Sequence, residues 1–260
     1  MRVAAYQMPV SACYSANAAE HLSTRVRECE AAGVSLLCCP EGALGGLVDY
    51  VDAPDAIAIP ADPAVVAAAL RPLASRTVTV VVGFTERDSS GCYYNAAAVC
   101  SGGAVLGIYR KRYPAIRRSR YRAGSETPVF RITGGLLGIL ICRDSTDPQL
   151  ATALVDRGAQ MLCIPTNNAM PADRIGSHLV DEVRTLDAEL ATRLGVPVIR
   201  ADVVGAAGAL LAPGTSIITQ PSAAQYCARG VEEGELVVAR LRSEAGPRHS
   251  ASRSSATAPA

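Results

Sequence analysis

The sequence predicts an α/β fold on three observations. Short β-branched runs alternate with longer amphipathic segments, the pattern of strands covered by helices. Three apolar runs each stop at a reactive residue: VSLLCCP ends at Glu41, AVLGIYR at Lys111 and LLGILI at Cys142. A buried strand that delivers a carboxylate, an ammonium or a thiol at its carboxyl end is how open α/β sheets build a catalytic crevice. Finally, 260 residues, 49% of them apolar, fall within the range of one α/β domain and can bury a sizeable core.

Along the chain, residues 3–8 read as the first strand. A helix follows over 17–32, where Asn17 and Glu20 match a capping box, Leu22, Val26 and Cys29 line one face, and Gly33 stops it. Residues 34–39 are a strand and 61–75 a second helix. Strands are expected at 78–84, 96–100, 105–109 and 136–141. The next helix starts near Asp147-Pro148, with proline in its first turn, and stops at Gly158. After a strand at 161–164, a helix spans 177–194, with Leu179, Val183, Leu186, Leu190 and Leu194 at spacings of three and four and Gly195 as its stop. A strand at 196–200 follows, and beyond Thr215 the segments TSIITQPS, AQYCARG and LVVARL predict a β-rich ending. Residues 1–242 are thus expected to form the domain. Residues 243–260, nearly devoid of large apolar side chains, are expected as a disordered tail.

Charge and cysteine usage exclude several classes. With 25 basic and 24 acidic residues the formal net charge is +1, so no global field draws the protein to nucleic acid or an anionic membrane. A small-molecule partner fits better. The opening MRVAAYQM carries polar Gln7 inside a strand-like run rather than a signal peptide's apolar segment. The most apolar stretch, 134–142, is far shorter than the roughly 20 residues that span a bilayer. A soluble, cytoplasmic protein is expected. The nine cysteines are an odd number without the dense framework of a secreted scaffold, and most read as reduced, buried small hydrophobes. Cys38 and Cys39 point to opposite faces of a strand, and no second ligand pair stands at metal spacing, which argues against zinc.

Each strand-end residue admits two readings. Cys142 ends a strand just before a turn and the Pro148 helix, a place that favours a thiolate; by position it is equally one more buried thiol, like Cys163. His21 and His178 fall in helices and His249 in the tail, so a papain-like Cys-His pair is not offered. Glu41, directly after Pro40, is the better base, with a cap or a salt bridge as its alternative. Lys111 belongs to the basic triplet Arg110-Lys111-Arg112, either a solvated patch or one ammonium aimed at a developing oxyanion.

Together, PEGAL around Glu41, YRKRYP around Lys111 and GILICRDS around Cys142 resemble, in order and in their separations, the three signature segments of the nitrilase superfamily, the carbon–nitrogen hydrolases. The resemblance extends to RVAAYQM, to the strands holding Gly83, Glu86 and Asn95, to IPTNN and to GTSIITQP, over roughly residues 1–241. It implies a four-layer αββα sandwich, assembled as a homodimer or larger homo-oligomer. It implies that Glu41 is the general base, Cys142 the nucleophile toward an amide or nitrile carbon, and Lys111 with the backbone N–H of Arg143 the oxyanion partners. Ammonia or an amine would leave, and water would hydrolyse the remaining thioester. No metal or organic cofactor is implied.

Two departures from the family pattern bear on substrate. Many members carry a second glutamate before a PG turn, and the matching position here is Arg118, which either recognises a substrate carboxylate or points to solvent. Arg143 stands where an aromatic is common, implying a more polar pocket. Thr166, Asn167 and Asn168 follow the strand after Cys142, where the resemblance puts a substrate-binding loop; such residues also make ordinary turns. No tryptophan and only two phenylalanines favour a small aliphatic amide, a carbamoyl compound or an ω-amidated acid over bulky nitriles. An acyltransferase using the same thioester, or a catalytically silent binding or assembly protein, are the alternatives.

Overall fold

Side chains of a strand alternate between its two faces, and here both faces are apolar. In a computed structural model, which describes residues 1–221, 225–228 and 234–241, the alternation sorts the chain into layers. Tyr6, Met8, Leu37, Cys39, Val80, Val82 and Phe84 face the helices at Ala18–Ala31 and Pro63–Leu70, while Val3, Ala5, Leu36, Cys38 and Val81 face a second sheet. That sheet contributes Ile139, Ile141, Cys163 and Ile199 to the shared interior and Leu140, Leu162, Ile164 and Val198 to its own helix-covered face. Cys38 and Cys39 do separate to opposite faces. Burying each large apolar side chain contributes about 1.5–3 kcal/mol, so double-sided burial explains runs that lack polar alternation. The fold is an αββα sandwich.

Along the chain come β1 (Arg2–Pro9), the one-turn α1 (Val10–Cys13), α2 (Ala18–Ala31), β2 (Leu36–Cys38), β3 (Ile59–Pro60), α3 (Pro63–Leu70), β4 (Thr79–Arg87), β5 (Tyr93–Ser101) and β6 (Ala104–Arg110). Then follow β7 (Tyr121–Arg122), β8 (Val129–Ile132), β9 (Gly135–Ile139), α4 (Pro148–Asp156), β10 (Met161–Pro165), β11 (Met170–Pro171), α5 (Leu179–Leu194) and β12 (Val198–Ala201). The β-rich ending supplies β13 (Val203–Ala207), β14 (Leu210–Pro213), β15 (Ile217–Thr219), β16 (Gln225–Cys227) and β17 (Glu235–Arg240).

One sheet runs β11-β14-β13-β1-β2-β4-β5-β6 and the other β16-β15-β12-β10-β9-β8. β1, β2 and β4 are parallel, as are β9, β10 and β12. β5 is antiparallel to both β4 and β6, so β6 runs in the direction of β2. The carboxyl ends of β2, β4 and β6 therefore share one edge. That edge meets the end of β10, where Glu41 N–H donates to the Thr166 carbonyl at 3.3 Å.

Several local expectations change. Asn17 makes no side-chain cap to α2; Ser15 Oγ instead accepts its N–H at 3.1 Å. The helix expected over 61–75 ends at Leu70 and continues as the 3-10 turn Arg71–Leu73, because Pro72 can neither donate nor fit against the preceding turn. The α5 face turns so that Asp187, Leu190 and Ala191 are buried, while Leu179, Val183, Leu186 and Leu194 are half-buried. Residues 243–260 lie outside the described residues. Among the described residues no helix is long and apolar enough to cross a membrane, and no cluster of metal-ligating side chains occurs.

Candidate active site

Glu41 leaves the end of β2 through Pro40 and is 2% exposed. The turn is held against β4 by Gly83, whose N–H donates to the Pro40 carbonyl at 3.2 Å and whose carbonyl accepts from Leu44 at 3.1 Å. The two backbones approach so closely that a Cβ on Gly83 would lie 2.7 Å from Glu41 Cα. Only glycine fits there.

Lys111 follows β6 directly and is 3% exposed. Its Nζ donates to Glu41 Oε1 at 2.6 Å, and Asn95 Nδ2 on β5 donates to the same oxygen at 2.6 Å. Glu41 Oε2 accepts from Asn167 N–H at 3.0 Å. Burial, the largest single effect, disfavours the Lys111 charge, but the Glu41 carboxylate together with Cys142 and Asp144 outweighs it, and the net effect raises the ammonium's pKa. Removing either partner would strand a buried charge.

Cys142 follows β9 after Leu140 and Ile141 and opens the 3-10 turn Cys142–Thr146. Its φ of 48° is left-handed, which few non-glycine residues adopt. Asp144 clamps this turn to the Lys111 strand end: its carboxylate accepts from Ile141 N–H at 3.0 Å, Tyr109 Oη at 2.7 Å and Tyr113 N–H at 2.9 Å. The expectation of a thiolate at a helix terminus is corrected. Asp147 caps α4 with its own carboxylate, and the Cys142 thiol is pushed up to about 12, first by burial and next by the charge of Glu41, against the lowering effect of Lys111. A protonated thiol with an anion nearby needs a base to act.

The loop after β10 divides its duties. Thr166 is fully buried, its hydroxyl donating to Ile164 O at 3.1 Å and accepting from Arg200 at 2.6 Å. Asn167 is bound to Glu41 through its N–H and, at 3.3 Å, through Nδ2 to the Glu41 carbonyl. Both residues are therefore engaged by the protein itself, Thr166 with Arg200 and Asn167 with Glu41. Asn168 is the one facing the thiol: Cys142 Sγ lies 3.9 Å from its Oδ1, while its Nδ2 is held by Asp202 at 3.0 Å and by Thr215 at 3.2 Å. Arg118 is exposed on a left-handed turn (φ 65°); the neighbouring Ser119 and Arg120 are tied to Asp49. Arg143 is exposed, its guanidinium donating to Ala115 O at 3.3 Å, so its side chain braces a loop.

A family model of carbon–nitrogen hydrolases matches residues 2–247. The chain belongs to that family. Solved structures with the same fold include a Nesterenkonia amidase of the nitrilase superfamily (TM-score 0.74, 22% identity, 93% of this chain and 90% of that one). Nit3 of Saccharomyces cerevisiae, another superfamily member, gives a TM-score of 0.75 at 20% identity, covering 92% and 89% of the two chains. Among curated relatives, a hydrolase of Pseudomonas protegens is 33% identical over 66% of this chain and 61% of its own length. A glutamine-dependent NAD+ synthetase of Xylella fastidiosa is 31% identical over 66% of this chain and 32% of its own. The chain thus spans less than two thirds of the length of these relatives.

In this carbon–nitrogen hydrolase, four residues complete the site beyond those assigned from sequence: Asp144, Asp187, Arg200 and Asp202. Arg200, 2% exposed, makes a two-point bond to Asp187 of α5 at 2.6 Å each and also reaches Ser145 Oγ at 2.9 Å. Asp202 is fully buried, accepts from Val203 N–H at 2.8 Å and Thr215 Oγ1 at 2.6 Å, and has its pKa raised by burial. For Arg200 and Asp202 the one signal in the sequence is a charge in or at the end of the apolar run VIRAD; Asp144 in CRDSTD and Asp187 on an amphipathic helix carry none. The assembled site brings together the Glu41 carboxylate, the Lys111 ammonium and the Cys142 thiol beside Asn168.

Proposed function

We propose that this protein is an amidase acting on a small aliphatic amide, a carbamoyl compound or an ω-amidated acid through a thioester on Cys142. The observation that carries the reading is Glu41 Oε1, which takes 2.6 Å bonds from both Lys111 and Asn95 while its charge bears on a protonated Cys142 thiol. Glu41 takes the thiol proton as sulfur bonds to the amide carbon. The carbonyl oxygen becomes an oxyanion met by Lys111 Nζ and Arg143 N–H. The tetrahedral adduct collapses, the C–N bond breaks, and Glu41 returns the proton to the departing ammonia. A water then loses a proton to Glu41 and attacks the thioester, releasing the acid and restoring the thiol. The residues need no cofactor for these steps, and a homodimer or larger homo-oligomer is the proposed assembly.

Similarity to glutamine-dependent NAD+ synthetases makes glutamine a reasonable first ω-amide to try. The test is ammonia release across small amides, carbamoyl compounds and nitriles, with Cys142→Ala as the blank. Release from aliphatic amides by the wild type alone supports the reading. Preference for aromatic nitriles, or equal release by the variant, contradicts it. Adding a nucleophilic amine separates hydrolysis from acyl transfer by its product.

A further inference from the structure

Arg200, a buried cation, reaches the backbone of the nucleophile through one hydroxyl. Its guanidinium donates at 2.9 Å to Ser145 Oγ, and Ser145 Oγ in turn donates at 2.8 Å to the Cys142 carbonyl. Asp187 accepts from Nε and from the same Nη2 at 2.6 Å each, and Nη1 donates to Thr166 Oγ1 at 2.6 Å, which keeps the group in place. The carbonyl of Cys142 and the N–H of Arg143 belong to one peptide unit. No peptide bond is cis among the described residues, so in this unit the two groups point in opposite directions. Fixing and polarising the carbonyl from behind therefore aims and strengthens the N–H in front. As the second residue of a 3-10 turn, Arg143 has no carbonyl within the turn for that N–H to bond. The left-handed φ at Cys142 is held by the same hydroxyl.

We propose that Arg200 and Ser145 are positioning residues for the oxyanion site. Cation, hydroxyl and peptide form a chain of polarised hydrogen bonds that ends at the Arg143 N–H. This rests on the amidase reading above only in giving that N–H a substrate oxygen to meet. Aligned hydrogen bonds strengthen one another in a buried setting, and loss of a direct oxyanion donor costs about 10²–10³ in kcat; loss of the support behind one donor should cost about tenfold.

The test uses the full chain with Ser145→Ala, which leaves the Arg200–Asp187 pair intact. Three results are expected: amide turnover falls about tenfold, alkylation of Cys142 by iodoacetamide, which makes no oxyanion, stays within about twofold, and the Arg143 amide proton moves upfield in the 15N-resolved NMR spectrum. Ser145→Ala combined with Arg200→Lys should be no slower than Arg200→Lys alone, because the two residues act in series. Turnover and alkylation falling together would indicate a merely structural role and overturn the proposal. An unmoved Arg143 resonance would overturn it too, whether or not any amide is hydrolysed. A wild type that releases no ammonia, with the resonance still shifted by Ser145→Ala, would reject the amidase reading and keep the chain of hydrogen bonds.

Discussion

Gly83→Ala is a mutation that touches no ionisable group and should still cripple the site. The new Cβ would fall 2.7 Å from both Glu41 Cα and the Gly42 nitrogen and press on the Pro40 carbonyl, all of it backbone. Ordinary contact begins near 3.4 Å and the Pro40 oxygen would lie at 2.4 Å, so the turn must retreat by about 1.0 Å at that oxygen and by about 0.7 Å at Glu41 Cα. The 2.6 Å bonds from Lys111 and Asn95 to Glu41 Oε1 would stretch to roughly 3.3 Å if the retreat is not absorbed, near the limit of hydrogen bonding. Misplacement of about 1 Å can cost about 10²-fold in rate. Overpacking of this kind costs about 1–3 kcal/mol, which for a domain of this size lowers Tm by roughly 2–12 °C. Amide turnover measured well below the variant's Tm is the assay, with iodoacetamide alkylation of Cys142 as a check that the thiol remains accessible. Turnover within about twofold of wild type would refute the claim that the β4 contact sets the position of the base.

Glu41→Gln should lower kcat by about 10²–10⁴ yet speed Cys142 alkylation at pH 8, because the carboxylate charge that raises the thiol's pKa is gone; equal losses in both assays would contradict this. In wild type, with the thiol near 12, alkylation should climb close to tenfold per pH unit from 7 to 10, and a plateau near pH 8 would reveal a stabilised thiolate. Lys111→Met should destabilise the fold by about 3–5 kcal/mol in urea titration at pH 7, since it strands the buried Glu41 carboxylate. Lys111 has a raised folded pKa, so this deficit should be full below the unfolded value of about 10.4 and shrink as pH rises through the folded one; a deficit that grows above pH 11 would have the wrong sign.

What could be read from the sequence was what local periodicity and strand termini encode. Glu41, Lys111 and Cys142 each end an apolar run; Glu41 and Lys111 converge on one edge because β2 and β6 run the same way, and Cys142 comes from β9 of the other sheet. The helix capping box failed because Asn17 makes no side-chain cap and its own N–H, which Glu20 was to accept, goes to Ser15 Oγ two residues earlier. Asp187 was hidden because a single carboxylate on an amphipathic helix looks like a solvated residue; its role depends on Arg200, 13 positions away on β12. Asn168, not Thr166 or Asn167, faces the thiol because Arg200 engages Thr166, while Glu41 and the Ala169 N–H take up Asn167. That choice depends on pairing across two sheets, which no window of the sequence contains. The thiolate expectation failed for a related reason: burial and a neighbouring anion outweigh a turn terminus.

The most direct measurement is rapid-quench intact-mass analysis during turnover of an amide that the ammonia screen identifies, followed by peptide mapping. A transient mass gain equal to the acyl group, located on Cys142 and absent from Cys142→Ala, is the predicted result. Ammonia release with no acyl adduct at any quench time, under conditions where hydroxylamine also fails to trap an acyl group, would contradict the thioester route, as would an adduct on any other residue.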